Sequence, residues 1–138
     1  MRPSSISKIL SLNDTGETGA HQAGMLIPKG GSILEFFPQL NAMEKNPRRL
    51  LEFMDEANHC WRFNYIYYNN RLFGGTRNEY RLTGLTSYIR QYNLKAGDTI
   101  FLMRTKEEDL IIKSLKSNKI TSDTPKLYVT GTWKVVKY

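Results

Sequence analysis

The chain has 138 residues, a formal net charge of +7 and one cysteine, Cys60. This length fits a single domain with its own core, and the lone cysteine excludes an internal disulfide and a cysteine-rich zinc site. The sequence pI of about 9.6 favours a polyanionic partner. No stretch looks like a signal peptide or approaches the ~18 apolar residues of a membrane span, so we expect a cytoplasmic protein.

The first half of the chain predicts three strands, a loop and a short helix. Residues 6–12 form an apolar run typical of a strand, whereas residues 13–22 offer no hydrophobic anchor larger than alanine and indicate a surface loop. Residues 24–28 predict a buried strand, and residues 32–37 predict a short helix capped by Ser32. Residues 48–55 fit both helical and alternating spacing, and we prefer a strand because the next segment is plainly strand-like.

Aromatic side chains alternate with other residue types along residues 61–68, which predicts a strand. These aromatics are Trp61, Phe63, Tyr65 and Tyr67. Packing in the core and across strands explains them better than stacking on nucleic-acid bases does.

Residues 71–82 follow this strand and predict a projecting arm, in which two consecutive glycines let the backbone bend. If the second half of the arm is extended, the period of two separates its side chains into two sets. Arg77, Glu79 and Arg81 fall on one side, and Asn78 and Tyr80 fall on the other.

The Arg, Glu, Arg face suits the floor of a DNA major groove. Arginine can donate to O6 and N7 of guanine, and a carboxylate can accept from the N4 amino group of the paired cytosine. A glutamate has little other use in a basic nucleic-acid contact, because it repels phosphate. The alternative interpretation of the same residues is a solvated charged loop.

The last third predicts one helix and three strands. Apolar residues at i, i+3, i+4 and i+7 predict a short helix over residues 83–92. Residues 99–104, 110–115 and 127–136 predict strands. The total of about seven strands and two short helices predicts a mainly β fold that closes wholly or partly into a barrel, because closure removes exposed strand edges.

Two groups of motifs resemble the N-terminal effector-DNA-binding domain of EcoRII-type restriction endonucleases. They are Asn13-Asp-Thr-Gly-x-Thr-Gly-x-His-Gln with Ile27-Pro28, and Tyr67-Tyr-Asn-x-Arg71 with Phe73-Gly74 and Thr76-Arg-Asn-Glu-x-Arg81. The turn at residues 94–98 also resembles plant transcription-factor domains of the B-three type. The similarity covers roughly residues 6–104.

The resemblance implies a seven-stranded open pseudobarrel of the plant B-three type, with residues 1–138 forming one DNA-binding domain. An N-arm at about residues 13–22 and a C-arm at about residues 71–82 would enter the major groove. Each arm would cover one half of a short, nearly palindromic site, which for an EcoRII-like domain is CCWGG. The independent chemistry agrees in kind, since arginine and glutamate suit a C and G pair.

The candidate DNA contacts form two sets. The candidates for base contact are Asn13, Asp14, His21, Gln22, Arg77, Asn78, Glu79, Tyr80 and Arg81. The candidates for backbone contact, which set register without carrying sequence information, are Lys29, Arg71, Thr76, Arg90 and Lys95. Three positions depart from the EcoRII pattern, with Gly75 and Tyr80 in place of lysines and Leu26 in place of a tyrosine, so some contacts are missing or replaced.

A catalytic role finds no support in the sequence. A metal-dependent nuclease of the restriction class needs an Asp or Glu two positions before a Lys, and Glu79-Tyr80-Arg81 is the nearest approach. Only His21 and His59 are available for a nucleophilic triad, and the pair formed by His59 and Cys60 lacks further ligands at metal spacing. We expect a recognition module with no catalytic centre, metal or cofactor.

Double-stranded DNA is therefore the expected partner, and a monomer suffices for one site. The resemblance further implies a bacterial protein with a fused nuclease domain beyond residue 138, to which any Mg²⁺ would belong. The module would either target that nuclease or relieve its autoinhibition. The alternatives are a non-specific or single-strand binder that stacks bases on exposed aromatics and a small nuclease in its own right.

Overall fold

The computed structural model describes residues 2–17, 24–117 and 133–136. Within these ranges the chain forms one sheet of eight strands, three short α-helices and one 3-10 helix. The strands are β1 (Ser5–Ile9), β2 (Met25–Ile27), β3 (Arg48–Met54), β4 (Cys60–Tyr68), β5 (Glu79–Thr83), β6 (Thr99–Arg104), β7 (Leu110–Leu115) and β8 (Trp133–Val135). The helices are α1 (Leu12–Thr15), α2 (Ser32–Phe36) and α3 (Thr86–Gln91), and the 3-10 helix is Asn70–Phe73.

The sheet curls into a half-barrel. Its strand order is β2-β5-β4-β3-β7-β6-β1-β8, and every neighbouring pair is antiparallel except β3 and β7. The two edge strands, β2 and β8, lie close together. The indole Nε1 of Trp133 in β8 donates to the carbonyl oxygen of Leu26 in β2 at 3.0 Å. A side-chain hydrogen bond thus spans the gap that the backbone ladders leave.

Aromatic side chains fill the inside of the half-barrel. Phe53 of β3 and Phe63 and Tyr65 of β4 are at most 1% exposed. Two of the helices cover the same core, with Phe36 of α2 and Tyr88 of α3 almost fully buried. The alternation along residues 61–68 therefore predicts the buried face of β4 correctly, since a strand sends alternate side chains to the core.

The predicted count of seven strands is wrong, because the structure has eight. The additional strand is β5, and all its residues except Thr83 fall in the segment that the sequence analysis assigned to the C-arm. Met25 pairs with Leu82 on one side of β5, and Tyr65 pairs with Leu82 on the other. Two neighbouring strands thus supply the backbone partners that make this charged segment a strand.

The predicted count of two helices is also wrong. The missed helix is α1, which occupies the start of the segment predicted as an irregular loop. Ser32 does not cap α2. It is the first residue of the helix, and the N-cap position is occupied by Gly31, which has no side chain to cap with. α3 begins at Thr86 rather than at residue 83, since the chain reaches it from β5 through Gly84, which has a φ of +93°.

The remaining strand predictions are confirmed, with small shifts at their ends. β6 and β7 occupy the predicted ranges, and the ambiguous segment that begins at Arg48 is a strand. The final predicted strand is confirmed at Trp133–Val135, while residues 127–132 lie outside the described ranges. In the part of the chain that the structure describes, no helix is long and apolar enough to cross a membrane.

A buried carboxylate organises the hairpin between β3 and β4. The Tyr92 hydroxyl and Trp61 Nε1 donate to Oδ2 of Asp55, the latter at 2.8 Å, and the amides of Ala57 and His59 donate to Oδ1. Burial alone would raise the pKa of Asp55, but these hydrogen bonds outweigh it and lower the pKa to about 2. The bond to Asp55, with burial, raises the pKa of Tyr92 to about 12.

The low pKa of Asp55 predicts a loss of stability in acid. The folded pKa of about 2 lies below the unfolded value of about 3.9, so the contribution is complete above about pH 4 and falls as pH drops towards 2. Urea unfolding from pH 5 to pH 2 should show this fall, and Asp55→Asn should make it shallower. The exposed Asp109→Asn serves as the control, and equal slopes in both variants would contradict the assignment.

Candidate nucleic-acid interface

The pairing of β5 with β4 decides which arm residues share a face. Glu79 pairs with Tyr68 and Arg81 pairs with Ile66, and residues opposite one another in an antiparallel ladder project to the same side of the sheet. Arg77 lies just before β5, and its guanidinium lies 3.5 Å from Oε2 of Glu79. The predicted grouping of Arg77, Glu79 and Arg81 is therefore confirmed. We call these three residues the charged triad.

Glu79 connects the two arginines of the charged triad. Arg81 Nε donates to Oε2 of Glu79, and Arg77 contacts the same oxygen. Burial disfavours the charged carboxyl, but the hydrogen bond from Arg81 and the charges of both arginines lower the pKa of Glu79 overall. Among the described residues both ion pairs use Oε2, so Oε1 can accept a further hydrogen bond.

Each arginine of the triad also has a second support. Arg81 Nη1 donates to the carbonyl oxygen of Gly24 at 3.0 Å, which ties β5 to the start of β2. The guanidinium of Arg77 lies over the ring of Tyr68, 3.8 Å from its centroid. Both guanidinium groups are thus oriented before any ligand arrives.

Asn78 and Tyr80 point to the opposite face, as predicted. Tyr80 stacks on Tyr67 with ring centroids 4.2 Å apart, and the Tyr67 hydroxyl donates to Oδ1 of Asn78 at 2.7 Å. Both residues are half-buried against the barrel. The structure therefore separates them from the triad and gives them packing contacts, while their contact with a base stays a prediction.

A fully buried asparagine holds the base of the C-arm. Asn69 Nδ2 donates to the carbonyl oxygens of Ala42 and Glu44 at 3.1 and 2.7 Å, and its Oδ1 accepts from the amide of Asn46 at 2.6 Å. The side chain of Asn69 is 0% exposed. The loop before β3 and the C-arm are consequently fixed to one another.

The C-arm closes tightly on itself. The amide of Arg71 donates to the carbonyl oxygen of Arg77, and the amide of Gly75 donates to that of Asn70 at 2.8 Å. A Cβ atom at position 75 would lie 2.8 Å from Cβ of Asn70, so a side chain there would require the arm to shift. This contact explains why glycine suits this arm where the EcoRII pattern has lysine.

The described part of the N-arm is anchored by a buried ion pair. Lys8 Nζ donates to Oδ2 of Asp14 at 2.6 Å, and both side chains are almost inaccessible. Ser11 completes a capping box with Asp14, in which each side chain accepts from the other residue's amide. The structure thus gives Asp14 an anchoring role, and base contact by this carboxylate stays a prediction.

The N-arm also contacts the turn that precedes β6. The amide of Ala96 donates to Oε1 of Glu17 at 2.8 Å, so this part of the arm lies beside the turn that contains Lys95. Asn13 is exposed on α1. His21 and Gln22 lie outside the described residues, and their predicted base contacts are untested.

The predicted backbone-contact residues are all exposed. Arg71 and Thr76 belong to the C-arm, Arg90 lies near the end of α3, and Lys95 lies next to the N-arm contact at Ala96. Lys29 differs from the others, because its Nζ donates to the carbonyl oxygen of Asn78 at 2.9 Å and supports the C-arm.

Sequence reasoning missed Arg48, which joins the same surface. Arg48 pairs with Ile66, the residue that also pairs with Arg81 on the other side. Arg48 and Arg77 line one groove of about 430 Å³ together with Tyr68 and Asn64. Only the strand register reveals this neighbour, because Arg48 lies far from the arm in sequence. Within the described ranges no cluster of His, Cys, Asp and Glu could hold a metal ion.

Comparison with known proteins gives a family match over most of the chain. Residues 4–109 match the family described as restriction endonuclease EcoRII, N-terminal. The type II restriction enzyme EcoRII of Escherichia coli is 46% identical over 79 residues, which cover 55% of this chain and 19% of that protein. Auxin response factor 18 of Oryza sativa subsp. japonica is 28% identical over 118 residues, which cover 86% of this chain and 15% of that protein.

A solved structure shares the fold. The Arabidopsis FUS3–DNA complex matches with a TM-score of 0.63 at 21% identity, covering 81% of this chain and 96% of that one. The expected pseudobarrel of the plant B-three type is thus confirmed as a fold, apart from the number of strands. The matches span less than a fifth of the length of the two curated relatives.

The buried contacts of Asn69 predict a large effect of its removal. Asn69→Ala would remove three part-buried hydrogen bonds, each of which contributes about 0.5–1.5 kcal/mol. The free energy of unfolding, measured in urea, should fall by at least the contribution of one of these bonds. Asn41→Ala, on the exposed part of the same loop, provides the control, and an equally small loss in both variants would count against the anchor.

Proposed function

The chain belongs to the EcoRII N-terminal domain family, and we propose that it binds duplex DNA and recognises a short C·G-rich site in the major groove with two arms. The observation that carries the proposal is the charged triad on β5. Its two guanidinium groups and one carboxylate share a face and are held by neighbouring groups. The arginines of the triad can donate hydrogen bonds to O6 and N7 of guanine, and its carboxylate can accept one from the N4 amino group of cytosine.

The geometry of Glu79 supports a direct role at a C·G pair. Among the contacts that the structure describes, both arginines bind Oε2 of Glu79. Oε1 is therefore left to accept a hydrogen bond from cytosine N4. Arg77 is the more exposed arginine, with 41% of its side chain accessible against 20% for Arg81. We infer that Arg77 donates to guanine, and that Arg81 chiefly holds the carboxylate in place.

The N-arm would contact the other half of the site. Its base is fixed by the ion pair of Lys8 and Asp14 and by the contact of Glu17 with Ala96. These anchors, with the one at the base of the C-arm, order the bases of both arms before DNA binds, which lowers the conformational cost of binding. The EcoRII relationship suggests a CCWGG-like target sequence. Gly75 and Tyr80, which replace lysines of the EcoRII pattern, are the positions at which this chain's preference would differ.

The exposed cations around the arms would contact phosphate. Arg48 joins Arg71, Arg90 and Lys95 as a candidate, and such contacts set the position of the protein without selecting sequence. The net charge of +7 supports this electrostatic contribution.

A fused nuclease domain is part of the proposal. The E. coli relative is a type II restriction enzyme five times longer than the matched stretch, so we infer that this domain either delivers a nuclease to its site or releases it from autoinhibition. The catalytic centre and its Mg²⁺ would belong to that second domain. One domain with two arms suffices for one site as a monomer.

Binding of single strands on stacked aromatics is less well supported. It requires the aromatic rings of β4 to be accessible, yet Tyr65 is 1% exposed, Trp61 packs edge-on against Tyr88, and Tyr67 stacks on Tyr80. The ring of Tyr68 lies beneath the guanidinium of Arg77. These aromatic contacts belong to the core and to the support of the arm.

A binding titration tests the proposal directly. At near-physiological salt and without metal, a duplex that contains CCWGG should bind about a thousandfold more tightly than one with that block scrambled. A single strand of the same sequence is the competitor that separates duplex binding from base stacking. Equal, salt-sensitive affinity for both duplexes would refute recognition of this site, and selection from random duplexes would then show whether another site is preferred.

Arg77→Ala should remove discrimination as well as affinity. We expect a loss of about 1–3 kcal/mol on the preferred duplex and a much smaller loss on a scrambled one, because a bidentate contact to guanine disappears. Lys95→Ala is the matched control, since a phosphate contact weakens all duplexes alike and lowers the salt slope by about one. Equal losses of Arg77→Ala on both duplexes would assign Arg77 to phosphate.

A further inference from the structure

The C-arm presents two large apolar side chains that the proposed base contacts do not use. Leu72 is 62% exposed and Phe73 is 45% exposed, and both belong to the 3-10 helix Asn70–Phe73. We call these two residues the apolar tip. Neither of them belongs to the core or to the partly buried side chains packed against it. Their exposure therefore lacks an explanation in the packing of the described residues.

The backbone holds the apolar tip in a fixed position. The amide of Leu72 donates to the carbonyl oxygen of Asn69 at 2.9 Å, and Asn69 is itself fully buried. The helix ends at Gly74, whose φ of +90° turns the chain back so that Gly75 bonds to Asn70. In this closed loop the side chains of Leu72 and Phe73 stay exposed to solvent.

The charge around the apolar tip indicates the kind of ligand. Arg71 precedes the tip and Arg77 follows it, and the amide of Arg71 donates to the carbonyl oxygen of Arg77 at 2.9 Å. The two arginines and the exposed apolar pair together favour a ligand that is anionic overall and also offers an apolar group. On the floor of a DNA major groove, the group that meets this description is the C5-methyl of thymine.

We propose that Leu72 and Phe73 contact a thymine methyl group in the major groove, beside the C·G pair that the charged triad recognises. This inference rests on the proposed function and adds a thymine preference to it. In a CCWGG-like block the thymine lies in the central pair, next to the C·G pairs. The apolar tip would thus help to distinguish A·T from G·C at a position where the triad has no donor or acceptor to offer.

Deoxyuridine provides the test, because it differs from thymidine only by the missing methyl group. Two CCWGG duplexes are synthesised, one with thymidine and one with deoxyuridine at every thymine position, and both are titrated with the protein. Burial of one methyl group should make the thymidine duplex bind about fourfold more tightly. The variant with Leu72→Ala and Phe73→Ala should bind the two duplexes equally.

Met43→Ala supplies the matched control. Met43 is 85% exposed in the loop before β3, so its substitution deletes an exposed apolar side chain from a different loop. This variant should keep the fourfold preference for thymidine. All three proteins should show the same melting temperature, because the substituted side chains lie on the surface.

Each outcome decides the proposal. A preference that disappears only in the tip variant supports a direct methyl contact. A preference of equal size in the wild type and the tip variant would mean that the methyl group acts through DNA shape, which overturns the proposal. Specific binding of CCWGG with no effect of deoxyuridine also overturns it while leaving the proposed function intact. Equal binding of CCWGG and scrambled thymidine duplexes refutes recognition of this site, and the tip contact beside it.

Discussion

The antiparallel register between β4 and β5 is the constraint on which the candidate interface depends. Glu79 lies opposite Tyr68 and projects to the groove face, whereas Tyr80 lies opposite Tyr67 and projects to the barrel. A shift of one residue would exchange these faces and turn the carboxylate towards the core. Because β2 pairs with the other edge of β5, and because Tyr80 stacks on Tyr67 at 4.2 Å, such a shift would disrupt two ladders and a ring contact together. The position of the charged triad is thus fixed by the sheet itself.

Buried polar side chains extend this order from the sheet into its loops. Asp14 holds the start of the N-arm, Asn69 holds the base of the C-arm, and Asp55 holds the hairpin between β3 and β4. A satisfied buried hydrogen bond adds little net stability, but a buried group without its partner is costly. These residues therefore fix the start of the N-arm, the base of the C-arm and the β3–β4 hairpin, in addition to what they contribute to stability. If the two arms enter a DNA groove as proposed, ordered arm bases reduce the entropy lost on binding.

The local patterns in the sequence predict the strands whose side chains alternate, and they predict the composition of the charged triad. They do not predict features that arise from distant contacts. β5 is a strand because β2 and β4 flank it, although its residues Glu79–Thr83 are largely polar or charged. α1 forms where Asp14 is buried by Lys8, and that pairing is not visible from the loop-like composition of residues 13–22. Arg48 reaches the interface only through the register of β3 with β4, which propensities leave undetermined.

The carboxylate between two arginines has a further consequence for specificity in the proposed complex. Glu79 neutralises part of the charge of Arg77 and Arg81, so the C-arm attracts phosphate less than two unpaired arginines would. At a C·G pair, Arg77 can contact guanine in place of Glu79 or in addition to it. Oε1 of Glu79 then accepts a hydrogen bond from cytosine N4. At a wrong base pair, Arg77 would give up its contact with Glu79 without gaining an equivalent acceptor on the base. The carboxylate of Glu79 would then face a base acceptor, which repels it, or no hydrogen-bond partner at all. Discrimination then comes largely from the cost of the wrong complex, which is the general means by which an interface gains selectivity without added affinity.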